Sequence, residues 1–145
     1  MRTTEVLLVD DNPADTDLTT EVLSRNGRPS HIHSVINGVE AIAFLRGEGK
    51  YANALTPDFV LLDLSLPGKD GRAVLAEVKG DQRLRKIPIS IFSTSEAPQD
   101  IVRSYELGAN CYVTKPGNLQ DFISAVTGIG EFWFGLARLP CEDER

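Results

Sequence analysis

The chain has 145 residues, 41% of them hydrophobic and 25% charged, which is the balance of one soluble domain with a single core. A formal charge of −6 argues against a nucleic-acid surface, and no apolar run approaches the length of a membrane span. No basic segment followed by an apolar stretch opens the chain, so no signal peptide is expected, and Cys111 and Cys141 read as reduced thiols of a cytoplasmic protein.

The elements alternate in chain order. A strand is predicted over Glu5 to Asp10, then a helix with Asn12 as cap and Pro13 in its first turn. That helix carries Leu18, Val22 and Leu23 on one stripe and is expected to stop near Asn26-Gly27. A more polar strand around His31 to Ile36 follows, as an edge strand would read. Asn37-Gly38 then turns the chain into a helix over Val39 to Arg46. After a polar loop, Gly47 to Pro57, come a strand over Asp58 to Asp63 and a helix from about Gly71 to Lys79. A strand over Pro88 to Ser93 and a helix from about Pro98 to Leu107 complete the next pair. The last pair is a strand over Asn110 to Thr114 and a helix from about Asn118, with Leu119, Phe122, Ile123 and Val126 as its apolar stripe. The alternation implies a parallel sheet covered by helices on both faces, in one domain over residues 1–145, with 128–145 extending the last helix into a tail. The acidic end Glu142-Asp143-Glu144 reads as solvated.

Four strands end in reactive or charged groups. Val6-Leu7-Leu8-Val9 ends in Asp10-Asp11, and Phe59-Val60-Leu61-Leu62 in Asp63. The run 87–92 ends in Ser93-Thr94, and Cys111-Tyr112-Val113-Thr114 in Lys115-Pro116. In an open parallel sheet the carboxyl ends share one edge, and sites form there. Asp11 and Asp63 are the expected direct ligands of a Mg²⁺ ion (or Mn²⁺), with Asp10 farther out or holding a coordinated water, and the backbone carbonyl of Ser65 adds an oxygen. Three crowded carboxylates repel one another, so at least one pKa should be raised without a cation. Asp63 stands alone at its strand end and is the expected nucleophile toward a phosphoryl group. Lys115 and the Ser93 hydroxyl would neutralise and bind the other oxygens of the moving group.

These pieces together resemble a response-regulator receiver domain of a two-component phosphorelay: Asp10-Asp11, Asp63 with Pro67 and Gly71 after it, Ser93-Thr94 and Lys115-Pro116. The resemblance spans residues 5 to about 127. It implies a flavodoxin-like, doubly wound, five-stranded parallel sheet of order 2-1-3-4-5 with five helices, the last extended. It makes Asp63 the phospho-acceptor, Asp10 and Asp11 the metal acids, Ser93 the switch hydroxyl, Lys115 the phosphate-binding lysine and Tyr112 the aromatic switch. The implied partner is a histidine kinase, and the implied role is a signalling switch and not an enzyme. Thr94 is bulkier than the family's usual residue there and is expected to shield the phosphate from water. The Thr94 neighbourhood and the Phe132-Trp133-Phe134 and Leu139-Pro140 ending resemble, more narrowly, single-domain regulators paired with bacterial and cyanobacterial phytochromes. That narrower resemblance also implies a homodimer.

Other readings stay open on the residues alone. A phosphatase working through an aspartyl intermediate needs an acid two positions after its nucleophile, and Ser65 stands there. A flavin carrier shares the architecture, but acids at the strand ends would repel the flavin phosphate. His31-x-His33 puts two imidazoles on one strand face, a metal pair for which the sequence shows no third ligand. After residue 127 too little chain follows for an output domain, so signalling is expected through a histidine phosphotransfer protein or direct binding. Phe132, Trp133 and Phe134 are consecutive and cannot all face one neighbour on a helix, so part of this cluster is expected to lie exposed and form a dimer interface.

Overall fold

Asn12, Asn37, Asp70 and Asn118 each accept, through the side chain, the N–H of the residue three positions on, and each opens a helix. The computed structural model describes residues 3–25 and 28–140. The capped helices are α1 (Pro13–Leu23), α2 (Gly38–Arg46), α3 (Gly71–Lys79) and α5 (Leu119–Gly130), while α4 (Pro98–Glu106) starts on proline with no side-chain cap. Helix α1 stops at Leu23, capped by Ser24, ahead of the Asn26-Gly27 stop expected from sequence, and that pair lies outside the described residues. Strands β1 (Thr4–Val9), β2 (Ser30–Val35), β3 (Phe59–Leu62), β4 (Ile89–Ser93) and β5 (Cys111–Thr114) form one parallel sheet of order 2-1-3-4-5. Within the described residues no helix is long and apolar enough to cross a membrane.

Alternation along each strand divides the core between the two faces of the sheet. Leu7, Val9, Val60, Leu62, Ile89 and Ile91 point to the side of α2 and α3, where Phe44, Leu45, Val74 and Leu75 cover them. Val6, Leu8, Phe59, Leu61 and Phe92 point to the side of α1 and α5, against Val22, Leu23, Phe122 and Val126. The edge strand β2 alternates with exposed His31 and His33, as its polar sequence predicts. The loop expected over Gly47 to Pro57 is pinned: a 3₁₀ turn, Gly49–Tyr51, places the Tyr51 ring 5.0 Å from that of Phe44, and its hydroxyl donates to Glu40 at 2.6 Å.

Gly71 explains how α3 reaches the sheet edge. A Cβ there would lie 2.3 Å from the Asp63 carbonyl oxygen and 2.6 Å from the Leu64 Cα. Only glycine lets the helix start press against the segment that carries Asp63, and its N–H ties that segment down by donating to the Leu64 carbonyl at 2.9 Å.

The last helix departs from the predicted stripe at both ends. Leu119 is 65% exposed, whereas Ile129, beyond the predicted stripe, is buried. Beyond Gly130 the helix widens into a π-helical segment, Glu131–Leu136, where the Ala137 N–H donates to the Phe132 carbonyl at 2.7 Å. The widened turn folds the aromatic cluster back onto its own domain. Trp133 lies 5.1 Å from the Phe59 ring, and Phe134 is buried edge-on against it at 5.7 Å. Only Phe132 keeps a large exposed surface, at 47%. Burying Phe134 against the amino end of β3 stabilises the domain by about 2–3 kcal/mol, so the part of the cluster left outside the core is chiefly Phe132.

Ser90 is fully buried in β4, and among the described residues its hydroxyl is the one buried side-chain polar atom without a hydrogen-bond partner. Such a group costs roughly 1–3 kcal/mol. Ser90→Ala is expected to leave stability unchanged or raise it by about 1 kcal/mol; a clear loss in urea unfolding would mean that the hydroxyl is satisfied in solution.

Candidate functional site

The carboxyl ends of β1, β3, β4 and β5 share one edge, so Asp10, Asp63, Ser93 and Lys115 are brought together across long sequence separations. The register aligns them: Val9 lies beside Leu62, Leu62 beside Ile91, and Ser93 beside Thr114. Lys115 is 6% exposed, and its ammonium donates to Asp10 at 2.7 Å, to Asp15 at 2.9 Å and to Asp63 at 3.0 Å. Its backbone N–H is tied to the Ser93 carbonyl at 2.7 Å. Burial alone would lower its pKa, but the bonds to Asp10 and Asp15 and the charges of Asp63 and Asp10 overcome this and hold the amine above the ordinary lysine range.

One ammonium serves three carboxylates, so negative charge remains in excess. Burial pushes the Asp10 carboxyl above the usual value, with a smaller push from the Asp63 charge, despite its bonds to Lys115 and to the Asn12 N–H at 2.9 Å. In linkage terms the native state holds this proton more tightly than the unfolded chain does. The associated stability is present below the unfolded value and is lost as pH rises through the folded one. With a chelator present, wild type is therefore expected to lose stability relative to Asp10→Asn as pH rises from about 4 toward 7. A difference between the two that does not vary with pH would contradict this.

Carboxylate oxygens of Asp10, Asp11 and Asp63 lie within 4.8 Å of one another. Asp63 is nearly buried, whereas Asp11 is exposed, so a cation here would meet protein oxygens on one side and water on the other. That is the donor set Mg²⁺ or Mn²⁺ takes, and the residues fit such an ion. Asp63 is held from both sides: Oδ2 accepts from Lys115, and Oδ1 accepts the Ser65 N–H at 3.1 Å. Ser65 itself is exposed at the rim.

The switch candidates meet at a residue the sequence reading passed over. The buried Ser93 hydroxyl accepts the Ser95 N–H at 3.3 Å, and the Tyr112 hydroxyl donates to the Ser95 carbonyl at 2.8 Å. The Ser95 hydroxyl donates to Asp100 at 2.5 Å, and Arg72 of α3 pairs with the same carboxylate. The Ser95 bond first, and then Arg72, hold the Asp100 carboxyl below its usual value. Thr94, between Ser93 and Ser95, is exposed. Asp15 was likewise missed. In sequence it is an ordinary first-turn acid of α1, and only the fold carries it to Lys115, 100 positions away.

Comparison with known proteins agrees with this geometry. Residues 6–127 match the family described as response regulator receiver domain. Over 135 residues the chain is 44% identical to the response regulator Rcp1 of Synechocystis sp. (strain ATCC 27184 / PCC 6803 / Kazusa), covering 93% of this chain and 92% of Rcp1. The crystal structure of the phosphorylated cyanobacterial phytochrome response regulator RcpA superimposes with a TM-score of 0.94 at 48% identity, covering 97% of this chain and all of that one. The Mn²⁺-bound form of Rcp1 superimposes with a TM-score of 0.93 at 43% identity, covering 95% and 99%.

Proposed function

This chain belongs to the response regulator receiver domain family of two-component signalling, and from that premise we propose that it is a switch phosphorylated on Asp63 by a histidine kinase. The observation that carries the reading is the buried Lys115 ammonium bridging Asp10, Asp15 and Asp63. A divalent cation held by Asp10, Asp11 and Asp63, with the Ser65 carbonyl as a further oxygen, would supply positive charge for the phosphoryl oxygens. The Asp63 carboxylate attacks phosphorus as the bond to the kinase histidine breaks, and the imidazole leaves with the bonding pair. Lys115 then trades its bond to Asp63 for one to a phosphoryl oxygen. The Ser93 hydroxyl donates to another, and Thr94 screens the group from water.

The response starts at Ser95. Drawing Ser93 toward the phosphate gives up the 3.3 Å bond from the Ser95 N–H, while the same residue's carbonyl holds Tyr112. Loosening this peptide frees Tyr112 to turn inward and shifts the balance of conformations on the face of α4, β5 and α5. That face exposes Val102, Tyr105 and Leu119 and is the proposed homodimer surface, with Phe132 as a further apolar contact. The kinase docks on α1, where Pro13 and Ala14 are exposed beside Asp11. The kinship with RcpA points to a phytochrome-type photoreceptor kinase in the cytoplasm. The signal leaves as a phosphoryl group passed to a histidine phosphotransfer protein or by direct protein binding.

Phosphotransfer profiling tests the partner. Phytochrome-type histidine kinases are expected to phosphorylate the chain rapidly with Mg²⁺, and unrelated kinases slowly. Fast transfer only from another kinase class would remove the phytochrome pairing and keep the switch. Sedimentation of the same samples reads the dimer; a monomer with and without phosphate would remove it.

A further inference from the structure

Of the five α-helices, α4 carries the smallest share of the core. Ser104 is its one buried residue, whereas α3 buries Val74, Leu75 and Val78. An element with so little apolar burial is held by its polar contacts and shifts at low cost. The contacts at the start of α4 converge on Asp100. The Arg72 guanidinium donates to its Oδ1 at 2.5 Å, and the Ser95 hydroxyl donates to its Oδ2 at 2.5 Å. Ser95 Oγ in turn accepts the Ala97 N–H at 3.3 Å, at a helix start that has no side-chain cap of its own. The Asp100 carbonyl accepts the Ser104 hydroxyl at 2.8 Å, which fixes the residue within the helix. Arg72 stands next to Gly71, the residue of α3 that packs on the backbone of Asp63 and Leu64. The bridge Arg72–Asp100–Ser95 therefore runs from the helix that rests on the Asp63 segment to the peptide that bonds Ser93 and Tyr112. Neither Arg72 nor Asp100 belongs to the acidic cluster.

From this geometry we propose that Arg72 and Asp100 are positioning residues that brake the switch: they hold the Ser95 peptide in place and so set the fraction of molecules able to close Ser93 onto a phosphoryl group. The proposal rests on Asp63 being the phospho-acceptor. Ser93 gives up the Ser95 N–H when it closes, so every bond that fixes Ser95 favours the unphosphorylated arrangement. The apparent affinity of the site for a phosphoryl group falls in proportion to the competent fraction. Removing the bridge raises that fraction without touching an atom of the acidic pocket. The Arg72 and Asp100 side chains are 35% and 25% exposed, so water screens the pair. The brake is therefore worth a few-fold in the balance and not orders of magnitude.

The test is calorimetric titration of the full-length protein with beryllofluoride, a mimic of the phosphoryl group on a carboxylate, in saturating Mg²⁺. Asp100→Ala and Ser95→Ala are each expected to tighten binding by about 2–5-fold. The double variant should gain no more than the stronger single one, because both substitutions remove the same bond. Arg72→Met, which leaves the bond between Ser95 and Asp100 in place, should tighten binding less. By linkage, Asp100→Ala without ligand should move the Tyr112 ring signals in NMR toward the positions that wild type shows with beryllofluoride. A contact that only stabilises the fold would lower the unfolding midpoint and move neither the affinity nor those signals. Unchanged or weaker beryllofluoride binding in Asp100→Ala and Ser95→Ala, beside a wild type that binds it, would overturn the proposal and leave the Asp63 switch standing. Independent, additive gains would overturn it equally. A wild type that takes up neither beryllofluoride nor a phosphoryl group from acetyl phosphate would instead remove the Asp63 reading, and this inference with it.

Discussion

Asp63→Asn abolishes phosphoryl uptake from a small phosphodonor such as acetyl phosphate, while the protein stays folded. The expected loss is on the order of 10³-fold or more, because an amide oxygen is a far poorer nucleophile than a carboxylate and no other group takes over its role. The substitution nearly preserves shape: the amide oxygen can still accept the Ser65 N–H or the Lys115 ammonium that now hold Asp63. It also removes one of three crowded acids, so unfolding offers no alternative explanation for lost uptake. Intact-mass measurement with Mg²⁺ and with chelator gives the readout. Equal phosphate incorporation by the variant would move the acceptor elsewhere, and uptake by wild type that persists in chelator would remove the cation from the reaction.

Lys115→Ala produces the largest change in stability, and its size depends on the cation. The side chain is 3% exposed, and its three partners range from 11% for Asp63 to 28% for Asp15. Removing the ammonium leaves mutually repelling carboxylates without their internal counter-charge, a defect worth about 3–5 kcal/mol when the group removed is buried. Asp15, the most exposed of the three, is partly screened by water and contributes least. In chelator the variant is therefore expected to lose about 3 kcal/mol in urea unfolding. A divalent ion bound by the same acids stabilises the native state by mass action, so added Mg²⁺ should recover much of the loss and bind at least as tightly as in wild type. Equal stability of variant and wild type in chelator would contradict the charge account. On the proposed role of Lys115 as the partner of the phosphoryl oxygens, the phosphorylated variant should fail to propagate the change to Tyr112.

Much of this was readable before folding. The apolar runs ending in Asp10-Asp11, Asp63, Ser93 and Lys115 marked both the strands and the site, because a strand buried on both faces must be apolar throughout and its first polar residue falls at the sheet edge. The caps Asn12, Asn37, Asp70 and Asn118 are local signals, satisfied within one helical turn. Leu119 was misassigned because a residue in the first turn of a helix can satisfy the periodic pattern and still project beyond the sheet edge. Asp15 and Ser95 carried no signal of their own, since first-turn acids and loop serines are common everywhere.

The order of the elements, the edge position of β2 and the acid, hydroxyl and lysine at the strand ends follow from local patterning, which needs only short-range regularities of burial and hydrogen bonding. Long-range packing set the rest. It brought Lys115 onto Asp15, and Ser95 between Ser93 and Tyr112. It placed Glu5 between His31 and His33 through the pairing of β1 with β2. It also turned Trp133 and Phe134 inward against Phe59, where the sequence says only that part of the cluster lies outside the core and not which residue. Each of these contacts joins segments whose separation along the chain says nothing about their distance in space, and their energy is gained only once the sheet has closed and excluded water.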